Sequence, residues 1–132
     1  MNNLVEVKFI SSKKGKGLIA KQQIRKGKII DIAHVVLIPN NDYELIDKTV
    51  VSNYCFSWEN PKYKSEYKMA LAMSTCQFMN HSYTPNVRYE YHYRNDSIKY
   101  IAIRNISKGE ELTMNYNGAV DDKSPVWFEI EE

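Results

Sequence analysis

The chain is poor in cysteine, with only Cys55 and Cys76 among 132 residues. Two thiols cannot frame a disulfide scaffold, and they fall short of the four Cys/His ligands of a structural zinc site, so both are expected as free thiols. The three histidines, His34, His81 and His92, lack zinc-ligand spacing, and no metal is expected. Long apolar runs are also missing. The longest, Ile29 to Ile38, is broken by Asp31 and His34 and falls short of the roughly 18 residues a membrane helix needs, which excludes a helical membrane span. Met1 to Glu6 shows neither a charged nor an apolar leader segment. The expected address is the cytoplasm, or the nucleus should the source be eukaryotic or viral. No low-complexity tract, linker or internal repeat divides the sequence, so one domain over residues 1–132 is expected.

What is there is ordinary globular material, 43% hydrophobic and 26% charged, enough for one core and too little for two. Net charge is only +2, but the ends differ. Residues 1–28 carry eight basic residues against Glu6, whereas Asp121, Asp122, Glu129, Glu131 and Glu132 face only Lys123 near the other end. A basic arm suits an anionic ligand. With no nucleic-acid motif elsewhere, a solvated lysine-rich face is the plainer reading, and no nucleic-acid partner is expected.

The pattern is mostly β. Leu4 to Ile10 alternates apolar and polar residues, a polar turn through Gly15-Lys16-Gly17 follows, and Leu18-Ile19-Ala20 resumes. Lys26-Gly27-Lys28 marks another turn, and Ile29 to Ile38 reads as a strand stopped by Pro39-Asn40-Asn41-Asp42. Tyr43 to Lys48 suits one helical turn, and Val50 to Trp58 suits a strand ending at Glu59-Asn60-Pro61. The clearest alternation is Val87 to Tyr93, with a turn at Arg94 to Ser97 and a returning strand from Ile98, which predicts a hairpin. Core packing accounts for two of its three tyrosines. Ser107-Lys108-Gly109-Glu110 fits either a capping box or a turn before a short extended segment.

Single motifs say little. Gly15-Lys16-Gly17 lacks the third glycine of a dinucleotide fingerprint and the Lys-Ser/Thr of a phosphate loop, although Lys13, Lys14 and Lys16 would suit a carboxylate or phosphate beside it. Asn80 to Asn86 reads as an ordered loop. His81 as a base for Cys76 or Cys55 would make a thiol enzyme, but neither cysteine sits in a nucleophile motif.

The combination is specific. Gly15-Lys16-Gly17-Leu18, then Gln77-Phe78-Met79-Asn80-His81-Ser82 with Pro85-Asn86, then Gly109-Glu110-Glu111-Leu112-Thr113-Met114-Asn115-Tyr116 resemble, in order and spacing, the three signature segments of SET-domain protein lysine methyltransferases. The resemblance covers about residues 4–118, with 119–132 as a C-terminal aromatic lid. It implies a minimal, stand-alone domain: a mostly β, β-clip fold with few short helices, several small sheets set around a pseudoknot. Three positions depart from the family pattern: Gln77 where arginine is frequent, Tyr83 where cysteine is, and Asn115 where aspartate is.

The resemblance further implies an S-adenosylmethionine donor and transfer of its methyl to the side-chain amine of a lysine in a protein or peptide. Lys16, Gly17, Leu18, Asn80, His81, Tyr116 and the lid residues Trp127 and Phe128 are the expected donor-binding residues. Tyr116, Tyr54 and Tyr89 are the expected channel residues, with Tyr116 beside the transfer centre. Tyr89 together with Met114 suggests mono- or dimethylation. Small members of the family can dimerise, so a homodimer is compatible. The alternative is a catalytically inactive SET-fold module that binds a protein or nucleic acid, which intact Asn80, His81 and Tyr116 disfavour.

Overall fold

The computed structural model describes residues 3–59 and 67–128. Its first sheet contains β1 (Val5–Ser11), β2 (Gly15–Ala20), β9 (Glu111–Met114) and β6 (Asn80–His81), in that spatial order. The second has the order β4 (Cys55–Ser57), β5 (Tyr67–Ala72), β3 (Ile29–Pro39), β8 (Ser97–Ala102) and β7 (Val87–His92). One helix, α1 (Asn40–Asp47), follows β3 directly.

The alternating segments form the strands expected of them. β1 pairs antiparallel with β2, and β7 with β8 from Val87 opposite Ala102 to His92 opposite Ser97. The hairpin turns through Asp96, which adopts φ 48°, a left-handed conformation that aspartate tolerates better than most residues. β4 and β7 stand at opposite ends of the five-strand order, yet Phe56 meets Tyr89 at 4.9 Å and Trp58 meets Tyr91 and Tyr93 at 5.6 and 4.9 Å between ring centroids. The sheet therefore curls until its edges touch, as strongly twisted sheets do. All three tyrosines of the stripe pack against the core, where two were expected to, and Tyr89 and Tyr91 also line a cleft.

Several local expectations are corrected. Val50–Tyr54 is a 3-10 turn and only Cys55–Ser57 extends; none of residues 50–54 is buried, so their β-branched character has no second face to fill. Asn60 and Pro61, expected to end that strand, lie outside the described residues. Pro39 ends β3 as expected, but it stands at the N-cap position of α1, without a side-chain capping bond, and Asn40 to Asp42 are helical. Gly15-Lys16-Gly17 is the start of β2 rather than a loop. Ser107 to Glu110 takes the turn alternative: the Ser107 N–H donates to Glu110 Oε1 at 3.1 Å, and β9 follows.

An internal repeat exists after all. Residues 20–28 and 102–110 exchange the same backbone bonds with roles reversed. Ile24 and Ile106 donate to each other's carbonyls at 2.8 and 2.7 Å, Gly27 donates to Ala102 and Gly109 to Ala20 at 2.8 Å, and Ala102 donates to Lys28 and Ala20 to Glu110 at 3.0 Å. Ala, Ile, Lys and Gly recur at equivalent positions of the two segments, and both glycines hold φ near +90°. Four identities in nine residues are too few to read as a repeat without the pairing.

The core lies between the sheets, with Leu18, Ile24, Met79, Val87, Ile98, Tyr100, Ile106 and Leu112 fully buried. Through it, β6 runs parallel to β9, and the 80–86 segment clasps β9 further along: Ser82 donates to the Met114 carbonyl at 3.0 Å. The buried Asn86 side chain accepts from Thr113 N at 2.8 Å and donates to the Glu111 carbonyl at 2.9 Å. This crossing delivers Tyr116 to His81.

Candidate active site

Two clefts flank the crossing. One, of about 590 Å³, is lined by Lys13 and Lys14 of the β1–β2 turn, by Gly15 and Lys16 at the start of β2, by Phe78, Asn80 and His81 ahead of the crossing, and by Trp127 and Phe128. The other, of about 650 Å³, is lined by residues of α1, β4 and β7, including Tyr89 and Tyr91, with Met114 and Gly118. Asn53, Tyr54, Gln77, Tyr116 and Trp127 line both. These five form the partition between the clefts.

Tyr116 is fixed at both ends. Its N–H donates to His81 Nδ1 at 3.0 Å and its hydroxyl donates to the Met79 carbonyl at 2.6 Å. Burial, reinforced by the nearby Tyr54, Glu111 and Tyr89, pushes its phenol up to about 12. It is a neutral hydrogen-bonding group at physiological pH and no general base. Trp127 stacks on it at 5.8 Å and 23°, and Phe128 meets both Tyr116 and His81 edge-on at 5.8 and 6.1 Å. Trp127 remains 66% exposed, so its outer face is open to an incoming ring. Tyr89, its phenol likewise raised to about 12 by burial, points its hydroxyl at the Asn115 carbonyl, 3.4 Å away, inside the second cleft. The 115–124 segment is tied back by Asn115 Nδ2, which donates to the Asp122 carbonyl at 2.7 Å.

A second network supports the first cleft from below. Lys14 Nζ pairs with Glu111 Oε1 at 2.9 Å with both side chains more than four-fifths buried. Asn80 Nδ2 donates to Glu111 Oε2 at 2.8 Å and to the Lys16 carbonyl at 3.2 Å. Gly17 sits against this knot: a Cβ there would stand 2.8 Å from Asn80 Nδ2 and 2.9 Å from Glu111 Oε2. The glycine is demanded by close approach, since its φ is not left-handed.

Of the expected donor-binding residues, Lys16, Asn80, His81, Tyr116, Trp127 and Phe128 line the first cleft. Gly17 and Leu18 do not; Leu18 is fully buried and points into the core. Tyr54 and Tyr116 lie on the partition, and Tyr89 on the second cleft alone. Lys13 and Lys14, read from sequence only as suited to a carboxylate or phosphate beside Gly15-Lys16-Gly17, also line the first cleft. Sequence reasoning did not name Phe78, Gln77 or Asn53 as site residues; the first two lie inside a signature segment, which is a usable signal, and Asn53 carries none. The lid residues beyond Phe128, and with them Glu129, Glu131 and Glu132, lie outside the described residues.

The thiol alternative is overturned by burial. Cys76 is buried, and desolvation raises its thiol to about 12; Cys55 is also raised. His81 Nδ1 is engaged by Tyr116 N instead. Among the described residues no group of three His, Cys, Asp or Glu side chains could hold a metal ion.

The SET domain family model matches residues 15–117. A Schizosaccharomyces pombe protein, "Histone-lysine N-methyltransferase, H3 lysine-37 specific", is 31% identical over 122 residues, 92% of this chain and 75% of its own length. The chain belongs to the SET-domain family. In fold it is similar to a crystal structure of a Plasmodium falciparum protein assigned as a histone methyltransferase, with TM-score 0.63, 24% identity, and 88% and 95% of the two chains covered. It is similar also to ctPRC2 in an autoinhibited conformation bound to S-adenosylmethionine, with TM-score 0.69, 22% identity, 88% of this chain covered and 15% of that one.

Proposed function

We propose that the first cleft holds S-adenosylmethionine, that the second admits a substrate lysine, and that the methyl passes through the partition between them. The protein is an S-adenosylmethionine-dependent protein-lysine N-methyltransferase. The observation that carries the assignment of the clefts is the shared wall of Asn53, Tyr54, Gln77, Tyr116 and Trp127: two sites with a common aromatic wall can bring a donor and an acceptor face to face.

The residues fit the donor. Lys13 and Lys16 suit its carboxylate, the open face of Trp127 with Phe128 suits its adenine, and about 590 Å³ is an ordinary size for such a ligand. When bound, S-adenosylmethionine supplies a methyl carbon made electrophilic by its sulfonium. The chain's own work lies on the acceptor side. A lysine near its reference pKa of about 10.4 costs roughly 4–5 kcal/mol to deprotonate at neutral pH. Desolvation of the amine between Tyr54, Tyr89 and Tyr116 lowers that cost by disfavouring the ammonium form. Alignment of amine and methyl then contributes up to about 7–11 kcal/mol in favourable cases. Tyr116, immobilised through Met79 and His81, orients rather than titrates. Tyr89 and Met114 narrow the acceptor cleft, and we assign mono- or dimethylation as the preferred outcome. A histone lysine is the proposed substrate class, supported by the relative's activity.

The test combines binding and chemistry. S-adenosylmethionine at about 100 times its dissociation constant adds roughly 2.7 kcal/mol of stability, about 10 °C in melting temperature for a chain of this size. Tyr116→Phe keeps that shift and loses most methyl transfer to histone peptides. Absence of the shift in wild type supports the inactive binding module, and full activity in Tyr116→Phe overturns the role given to its hydroxyl.

A further inference from the structure

Gln77 ties the Tyr54 side of the partition to the core, as Met79 and His81 tie Tyr116. It lines both clefts, and its amide is used at both ends: Nε2 donates to the Tyr54 carbonyl, and Oε1 accepts from the Tyr100 hydroxyl. Tyr100 is fully buried on β8, and burial raises its phenol far above its ordinary value, so it stays a donor. A terminal amide can rotate by half a turn and exchange its oxygen for its nitrogen. The Tyr54 carbonyl can only accept, so the nitrogen faces it and the oxygen is left to accept from Tyr100.

Tyr54 needs this tie. It ends a 3-10 turn with no buried residue, and it is itself 39% exposed. Among the described residues, the other hydrogen bonds that turn shows are local: Ser52 to Thr49, through both its N–H and its hydroxyl, Cys55 N–H to the Ser52 carbonyl, and Cys55 Sγ to Val51. An edge contact with Phe78 at 6.0 Å comes from the same 3-10 segment, Thr75–Phe78, that carries Gln77.

We propose that Gln77 is a positioning residue for methyl transfer, transmitting the fixed place of Tyr100 to the backbone of Tyr54 and so setting the wall that donor and acceptor share. The proposal rests on the assignment of the two clefts given above. It gives the amide, which stands where the family pattern favours arginine, a function in this chain. Misplacement of a reacting group by about 1 Å can cost a hundredfold in rate, so a loosened wall acts on kcat before it acts on binding.

The decisive variant is Gln77→Glu. Its carboxylate still accepts from Tyr100 but turns an oxygen toward the Tyr54 carbonyl. We expect kcat to fall tenfold or more, with the dissociation constant for S-adenosylmethionine changed less than threefold and amide exchange accelerated at residues 54–56 alone. Tyr100→Phe, which removes only the hydroxyl, gives a smaller fall in kcat and the same local exchange signature. The double variant is no worse than Gln77→Glu. Unchanged kcat and exchange in Gln77→Glu overturn the proposal, as does acceleration across the whole chain with a matching drop in melting temperature, which marks a merely structural role. Should wild type neither bind donor nor transfer methyl, the assignment of function fails, while the exchange measurement still decides whether Gln77 holds Tyr54.

Discussion

Gly17→Ala is the sharpest test of how the donor cleft is built. The added methyl would sit 2.6 Å from Ile10 Cγ1, 2.8 Å from Asn80 Nδ2 and 2.9 Å from Glu111 Oε2, all inside the closest approach a carbon makes. Ile10 can move, but Asn80 is held between Glu111 and the Lys16 carbonyl, and Glu111 is held by Lys14. Overpacking a well-filled site costs typically about 1–3 kcal/mol. At about 2.1 cal/mol/K per residue, unfolding entropy here is near 0.28 kcal/mol/K, so the melting temperature should fall by roughly 4–11 °C. Because the displaced group is a lining residue of the donor cleft, affinity for S-adenosylmethionine should fall at least tenfold. Two comparisons isolate the mechanism. Gly27→Ala carries strain from φ +89° with nothing within 4 Å, so it should cost about 1–2 kcal/mol without touching donor affinity. In an Asn80→Ala background, Gly17→Ala should cost less by about 0.5 kcal/mol or more, since a contact has been relieved. Differential scanning fluorimetry and titration calorimetry read the four variants against wild type. A melting temperature within 1 °C of wild type and unchanged affinity for Gly17→Ala would refute the close-approach argument.

The raised phenols of Tyr89 and Tyr116 predict alkaline lability. Folded values about 12 against roughly 10 in the unfolded chain mean that the unfolded state gives up protons first. The stability these groups contribute is therefore complete below about pH 10 and lost as pH rises toward 12; denaturation midpoints across pH 9–12 should show it, with a shallower decline in Tyr116→Phe. For product distribution, mass spectrometry of a peptide methylated to completion should show mono- and dimethyl lysine, and a mainly trimethyl product would overturn the role given to Tyr89 and Met114. Cys76 should resist iodoacetamide at pH 8 in the folded protein, and Cys55→Ser should retain methyl transfer; loss of transfer in that variant would revive the thiol reading.

Much of the fold follows from local pattern. Sequence alternation is enough for β1 and β7, and β-branched content for β3 and β8, although burial does not follow two clean faces: β8 is buried at every position but Lys99, and β7 is only half-buried beyond Val87. β5 is silent to that reasoning. Tyr67-Lys68-Met69-Ala70-Leu71-Ala72 favours a helix by propensity, yet it pairs with β3 and β4 on either side. Residues 50–54 fail in the opposite sense: β-branched side chains without a sheet to cover them stay in a turn.

The sequence by itself determined the family and the chemistry, because Asn80, His81 and Tyr116 are recognisable by type and spacing alone. It left open how those residues meet. Asn80 pairs with Thr113 and His81 with Met114 only because β9 is drawn into a parallel pairing with β6, a contact between segments more than thirty residues apart that no local preference encodes. Tertiary structure also decided that Leu18 faces the core, that Gly17 is there for close approach, and that Gln77 bridges Tyr100 to Tyr54. Each depends on a neighbour brought in from elsewhere in the chain, and only packing chooses that neighbour.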